Sequence, residues 1–188
     1  MSHTSPITYA RLGAVLAEAS MVSREKAADV VGRYHAHADE ELAPHGAAGA
    51  LEEFGVAVSV HGDDVDSLRE GYADLLARAA EVVGGGMTVT GVRLVEGEGP
   101  VADGRRDRVE FACDGRHVSV RAEHFADDYF DHMAAHAAVA LTAQPPDPRS
   151  WRSVDFPRDR HHTYDTVLVL ATAEQAAALS ALPGLVVR

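Results

Sequence analysis

Apolar residues recur at helical spacing from the start of the chain. Ile7, Leu12, Val15, Leu16 and Ala19 share one face, and Pro6 suits a first-turn position. Ser20-Met21-Val22 breaks that pattern. Ser23 then offers an N-cap, with Glu25 in the first turn behind it, and Ala27, Val30, Val31 and Tyr34 begin a second stripe that runs to about Leu42. Pro44 and Gly46 stop it, so residues 44–49 (PHGAAG) are expected to form a hinge.

From residue 50 the period changes. Val56, Val58 and Val60 alternate with Ala57, Ser59 and His61, the mark of a strand. Asp66 or Ser67 can cap a helix whose stripe is Leu68, Tyr72, Leu75, Leu76, Ala79, Val82 and Val83, and Gly84-Gly85-Gly86 ends it. Residues 87–95 alternate again, and 96–106 is expected to be a loop. Residues 108–113 and 117–121 flank Asp114-Gly115, a strong type I′ hairpin signal. A helix is expected from about 125 to 142, with Ala126, Tyr129, Phe130, Met133, Ala137 and Leu141 as its apolar face. Residues 144–162, with Pro145, Pro146, Pro148 and Pro157, are expected to be irregular. A strand over 166–170, a helix over 172–182 capped by Thr172 and a short strand within 184–188 complete the chain. This order predicts an α+β fold: a largely antiparallel sheet of about five strands with helices on one face, preceded by an N-terminal helical pair. The boundary is expected between an N-terminal helical segment, 1–46, and an α+β domain, 47–188. Strands and helices do not alternate regularly, which excludes a doubly wound α/β fold.

Composition narrows the setting. The chain has 188 residues, 46% of them hydrophobic, and no apolar run approaches the ~20 residues of a membrane span. MSHTSPITYA lacks a secretory signal, and a lone Cys113 excludes internal disulfides and cysteine zinc sites. Together these features predict a cytoplasmic protein. Arginine outnumbers lysine 16 to 1 and asparagine is absent, a pattern of GC-rich codon usage that fits a bacterial source. The net charge of −12 is uneven: residues 47–142 hold 18 acids and 8 bases, while 143–188 are neutral overall. An acidic middle opposes nucleic-acid and anionic-lipid partners and favours a basic protein, reached by electrostatic steering.

The candidate chemistry is sparse. His124, Asp128, His132 and His136 lie four apart, each step advancing ~40° around a helix. His132 and His136 share one flank and, with Asp128, are the candidate ligands of a divalent transition metal. No glutamate follows His132, so the general base of a metalloprotease helix is missing. Cys113 alternates with Val109 and Phe111 and should point into the core, and no G-x-S-x-G is present. The glycine clusters follow a helix or join strands, the wrong order for a phosphate loop. The 144–162 stretch carries the only tryptophan, Trp151, among arginines, a composition of binding surfaces.

These features predict a non-catalytic acidic protein-binding module, of the inhibitor or immunity type, for a basic partner. No cofactor and no catalytic residue are expected. The contact residues would be Asp63, Asp64, Asp66, Glu123, Asp127, Asp128, Asp131 and Trp151, and residues 1–46 are a candidate homodimer element. The alternative is a small metal-dependent enzyme or metal sensor built on His132, His136 and Asp128.

Overall fold

A computed structural model describes residues 6–60, 66–157 and 166–188. In chain order its elements are α1 (Tyr9–Glu18), α2 (Arg24–Arg33), α3 (Pro44–Glu53), β1 (Ala57–Val60), α4 (Leu68–Val83), β2 (Val89–Val95), β3 (Arg105–Cys113), β4 (Arg116–His124), α5 (His132–Ala140), β5 (Ser150–Asp155), β6 (Thr166–Ala171), α6 (Ala173–Ser180) and β7 (Val186–Val187). The fold is α+β with antiparallel pairing, as the pattern predicts. It differs in having two sheets, ordered β1-β6-β5-β7 and β2-β3-β4, where one of about five strands was expected. The chain divides into two compact units: unit 1 is Met1–Ser59 with Arg149–Arg188, and unit 2 is Val60–Pro148. The boundary drawn at residue 46 does not coincide with that division.

Unit 1 begins with two capped helices. The Thr8 hydroxyl accepts from the Arg11 amide at 3.1 Å, and the Ser23 hydroxyl accepts from the Lys26 amide at 3.0 Å. α2 ends at Arg33, well before Leu42. Gly32 is a poor helix former, and 34–39 closes in successive turns. The expected hinge at 44–49 is instead the first half of α3. Pro44 occupies the first helical turn, where its missing N–H costs nothing, and the alanines behind it are the best helix formers. Ala47, Ala48, Ala50 and Leu51 of α3 join Leu12, Leu16, Val30, Phe54, Val169, Leu179 and Leu185 in one buried cluster. The apolar stripes of α1 and α2 thus pack into the core of unit 1. All four residues of β1 are buried, so its alternation does not separate an inner from an outer face. β5 is a strand where irregular chain was expected. Its prolines lie outside it, and Val154 pairs with Val167 on one side and Val187 on the other.

Unit 2 is a three-stranded meander with α4 and α5 packed on one face. The Ser67 hydroxyl caps α4 by accepting from the Glu70 amide at 3.3 Å. Asp114 and Gly115 both take positive φ, 48° and 77°, as a type I′ turn requires. Alternation then sorts the strands. Val109, Phe111, Cys113, Val118, Val120 and Ala122 are buried on the helix side, while Arg93, Arg106, Arg108, Arg121 and Glu123 are exposed on the other.

Candidate functional site

The segment expected to be one long helix from 125 is two different structures. β4 runs to His124, residues 125–131 form turns, and α5 starts only at His132. Asp131 sets that start. Its Oδ1 accepts from the Met133 amide at 2.9 Å and the Ala134 amide at 3.2 Å, and its Oδ2 accepts from the Glu123 amide at 2.9 Å. One carboxylate thus begins the helix and ties it to the end of β4. The His124–Asp128–His132–His136 row is broken as a consequence: only the last two share a helix, and Asp128 is an exposed turn residue.

His124 faces inward and is fully buried. It lies in a buried polar network. Its Nδ1 is 2.8 Å from Asp107 Oδ2, and its Nε2 is 3.0 Å from the Tyr72 hydroxyl. Asp107 also accepts from Arg105 (Nε to Oδ1 at 2.8 Å, the terminal nitrogen to Oδ2 at 3.1 Å) and from the Gly97 amide at 2.8 Å. Burial pushes the Asp107 carboxyl up, but Arg105, the Gly97 amide and His124 outweigh it and hold the group below its ordinary value. Burial, then the carboxylates of Asp131 and Asp107, push the Tyr72 hydroxyl up, so it stays protonated. Tyrosine, imidazole and carboxylate in series resemble a catalytic relay in composition. Both ring nitrogens of His124 are engaged, and the His124 and Asp107 side chains are 0% exposed, so the pair is enclosed within unit 2. The network cross-braces α4, the 96–97 loop, β3 and β4. A signal for it exists in the sequence: Asp107 has the inward parity of Val109 and Phe111, and His124 that of Val120 and Ala122. A charge at an inward position demands a partner.

The residues expected to form an acidic contact surface lie at several places in the structure. Asp63 and Asp64 lie outside the described residues. Asp66 is exposed beside the start of α4, and the Leu68 amide donates to the Asp127 carbonyl at 3.1 Å. Asp66, Asp127 and Asp128, some 60 residues apart in sequence, are thereby set at one corner of unit 2. Asp127 lies 3.7 Å from Arg105, which also approaches Glu96 at 3.4 Å. Asp131 is occupied as a cap. Glu123 is on the outer sheet face, directly across from Arg106. Trp151 belongs to β5 of unit 1, half-buried and paired in register with Leu170.

Charge in unit 2 is segregated, which a count along the chain conceals. The unit holds 17 acids and 8 arginines, a net of −9. Four of those arginines, Arg93, Arg106, Arg108 and Arg121, share the outer sheet face. Arg108 sits directly opposite Arg121, and Arg93 bonds Glu110 at 2.6 Å. An open hollow of about 500 Å³ there is lined by Arg106, Arg108, Arg121, Glu123 and Asp131 among others.

α5 is the other departure from expectation. It contains no charged residue, and its buried stripe is Ala134, Ala135, Ala138 and Val139. Met133 and Leu141, expected to face the core, point outward, and Met133 is 78% exposed. Phe125, just before the acidic turn, is 63% exposed. His132 and His136 lie on the flank between buried and exposed stripes, and the ring of Tyr129 meets His132 edge-on at 5.9 Å. Burial, and next the neighbouring His132, push His136 down. Among the described residues, no three His, Cys, Asp or Glu side chains converge as a metal site would need, so Asp128 does not complete a triad with the two imidazoles. Cys113 is buried as its parity predicts, with Sγ 3.6 Å from Met87 Sδ. Comparison with protein-family models, curated proteins and solved structures finds no match to this chain.

Proposed function

We propose that the chain is a non-catalytic protein-binding module that holds a basic partner against unit 2, an inhibitor-type function in the bacterial cytoplasm. The observation that carries this reading is the surface of residues 125–141. Phe125 and Met133 stand out from the protein, Leu141 follows on the outer side of α5, and Asp127 and Asp128 lie in the turn between Phe125 and α5. Exposed apolar side chains on an uncharged helix supply the apolar contacts a partner would cover. Carboxylates along its rim select for lysine and arginine flanking the apolar residues of the incoming chain, and they speed encounter.

The test starts with immobilised full-length protein and a lysate of the source cells, in chelator. The captured protein is then purified and titrated by calorimetry at low and high salt. A basic partner is expected. Its affinity should fall by at least about tenfold with Met133→Asp, as for a central contact residue. Asp127→Lys with Asp128→Lys should slow association and flatten the salt dependence. Val186→Asp, an exposed apolar site on unit 1, should change neither. A partner whose affinity ignores both the Met133 and the Asp127/Asp128 variants would refute the assignment.

A further inference from the structure

Buried polar atoms in folded proteins are hydrogen-bonded in the great majority of cases, and each exception calls for an explanation such as an ion or a water. Among the described residues, the buried side-chain nitrogen and oxygen atoms without a hydrogen-bond partner are His132 Nε2 and His136 Nε2. They are chemically identical, they lie on the same helix, and they are one turn apart. Residues at i and i+4 present their side chains side by side, with Cβ atoms about 6 Å apart. Two imidazole nitrogens at this spacing on one helix can serve as the two arms of a chelate. Other imidazoles among the described residues have partners: His124 pairs with Tyr72 and Asp107, His37 with Glu40 at 2.9 Å, and His35 with the Gly32 carbonyl at 3.2 Å.

We propose that His132 and His136 bind one divalent transition-metal ion through their Nε2 atoms. Imidazole selects zinc, copper, nickel or cobalt over magnesium and calcium, which take oxygen ligands. The edge-on ring of Tyr129 restrains the plane of His132, so one arm is pre-oriented. No third protein ligand joins the pair among the described residues, and a structural zinc site uses four. The remaining positions are therefore water or a group brought by another molecule, and the site is exchangeable rather than part of the folding framework. The proposal stands apart from the protein-binding function: either can fail without the other.

The experiment is calorimetric titration of chelator-treated full-length protein with zinc and with nickel, and a cobalt titration followed by its visible absorption. Ring-nitrogen NMR locates the bound ion. One ion per chain is expected, with His132 and His136 Nε2 shifting together. His132→Gln or His136→Gln should each weaken binding by at least about tenfold, the scale on which metal sites respond to loss of a supporting group. His35→Gln with His37→Gln should leave binding unchanged. Circular dichroism checks that each variant keeps its fold, and glutamine, which is uncharged and tolerates helix, serves where alanine disturbs the packing. Binding that survives loss of both His132 and His136 overturns the proposal. So does wild-type protein that leaves the two Nε2 resonances unmoved in excess metal.

Discussion

Replacing Asp107 by asparagine keeps the shape of the side chain and removes its charge, so it isolates the electrostatic content of the buried network. The carboxylate receives four hydrogen bonds, two from Arg105 and one each from Gly97 and His124. An amide has one oxygen and an NH2 that would face N–H donors, so at least one of those groups is left facing a donor. Arg105 is only 11% exposed and would lose its closest carboxylate. Removing one partner of a buried pair costs about 3–5 kcal/mol. Glu96 at 3.4 Å and Asp127 at 3.7 Å still compensate Arg105 in part, which puts the expected loss at the lower end, about 3 kcal/mol. With a urea slope of ~1.5 kcal/mol per molar, the unfolding midpoint at neutral pH moves down by about 2 M. The pH dependence has a definite sign. Asp107 is held below its ordinary value in the folded state, so its contribution is fully present above about pH 4, the unfolded carboxylate value, and is lost as pH falls through the folded value. The gap between wild type and Asp107→Asn should therefore be widest near neutrality and close in acid. Urea titrations followed by tyrosine and tryptophan fluorescence and by circular dichroism, at neutral pH and in an acid series, read both quantities. A neutral-pH difference under about 1 kcal/mol, the scale of an ordinary net hydrogen bond, would show that the network is not the brace described.

Three further outcomes are expected. Asp131→Ala removes the α5 cap and the acceptor for the Glu123 amide, and should cost about 1–2 kcal/mol by chemical denaturation, within the range for lost N-caps. Arg121→Glu places an opposite charge across from Arg108, and should raise stability by up to about 1 kcal/mol in a thermal melt; a fall would show that the outer face is not governed by cross-strand charge. Burial, and next the Asp114 carboxylate, push the Cys113 thiol up, so native protein should react with a disulfide reagent only at the rate of unfolding, while denaturant should expose it at once.

The sequence announced its elements where local chemistry was unambiguous. Ser23, Ser67 and Thr172 cap helices as their hydroxyls suggested, and Asp114-Gly115 makes the turn that its φ preferences demand. It misled where alanine blurred the period. From Met133 to Ala143 nearly every helical face is apolar, so the period there does not show where the helix begins, and a single carboxylate, Asp131, decides it. Pro44 is ambiguous in the sequence because proline both ends and begins helices; the alanines after it, not before it, settle which. The partition into two sheets was illegible for another reason. β1 neighbours β6, a strand more than 100 residues later, and no local pattern encodes so distant a choice. The charge segregation of unit 2 likewise depends on strand parity and register: the same eight arginines counted along the chain reveal no face.

The placement of β1 beside β6 also governs how the molecule comes into being. Unit 2 has all its strands and both its helices within one continuous stretch of chain, so its contacts are available as soon as residue 148 has been made. Unit 1 is interrupted by that stretch, and α1, α2, α3 and β1 must wait for β5, β6, α6 and β7 before their cluster can close. During synthesis from the N-terminus, the first three helices therefore spend the longest time with Leu12, Leu16, Leu51 and Phe54 uncovered. A chain cut short after Pro148 keeps the whole of the inserted unit and forfeits the unit made from the two ends.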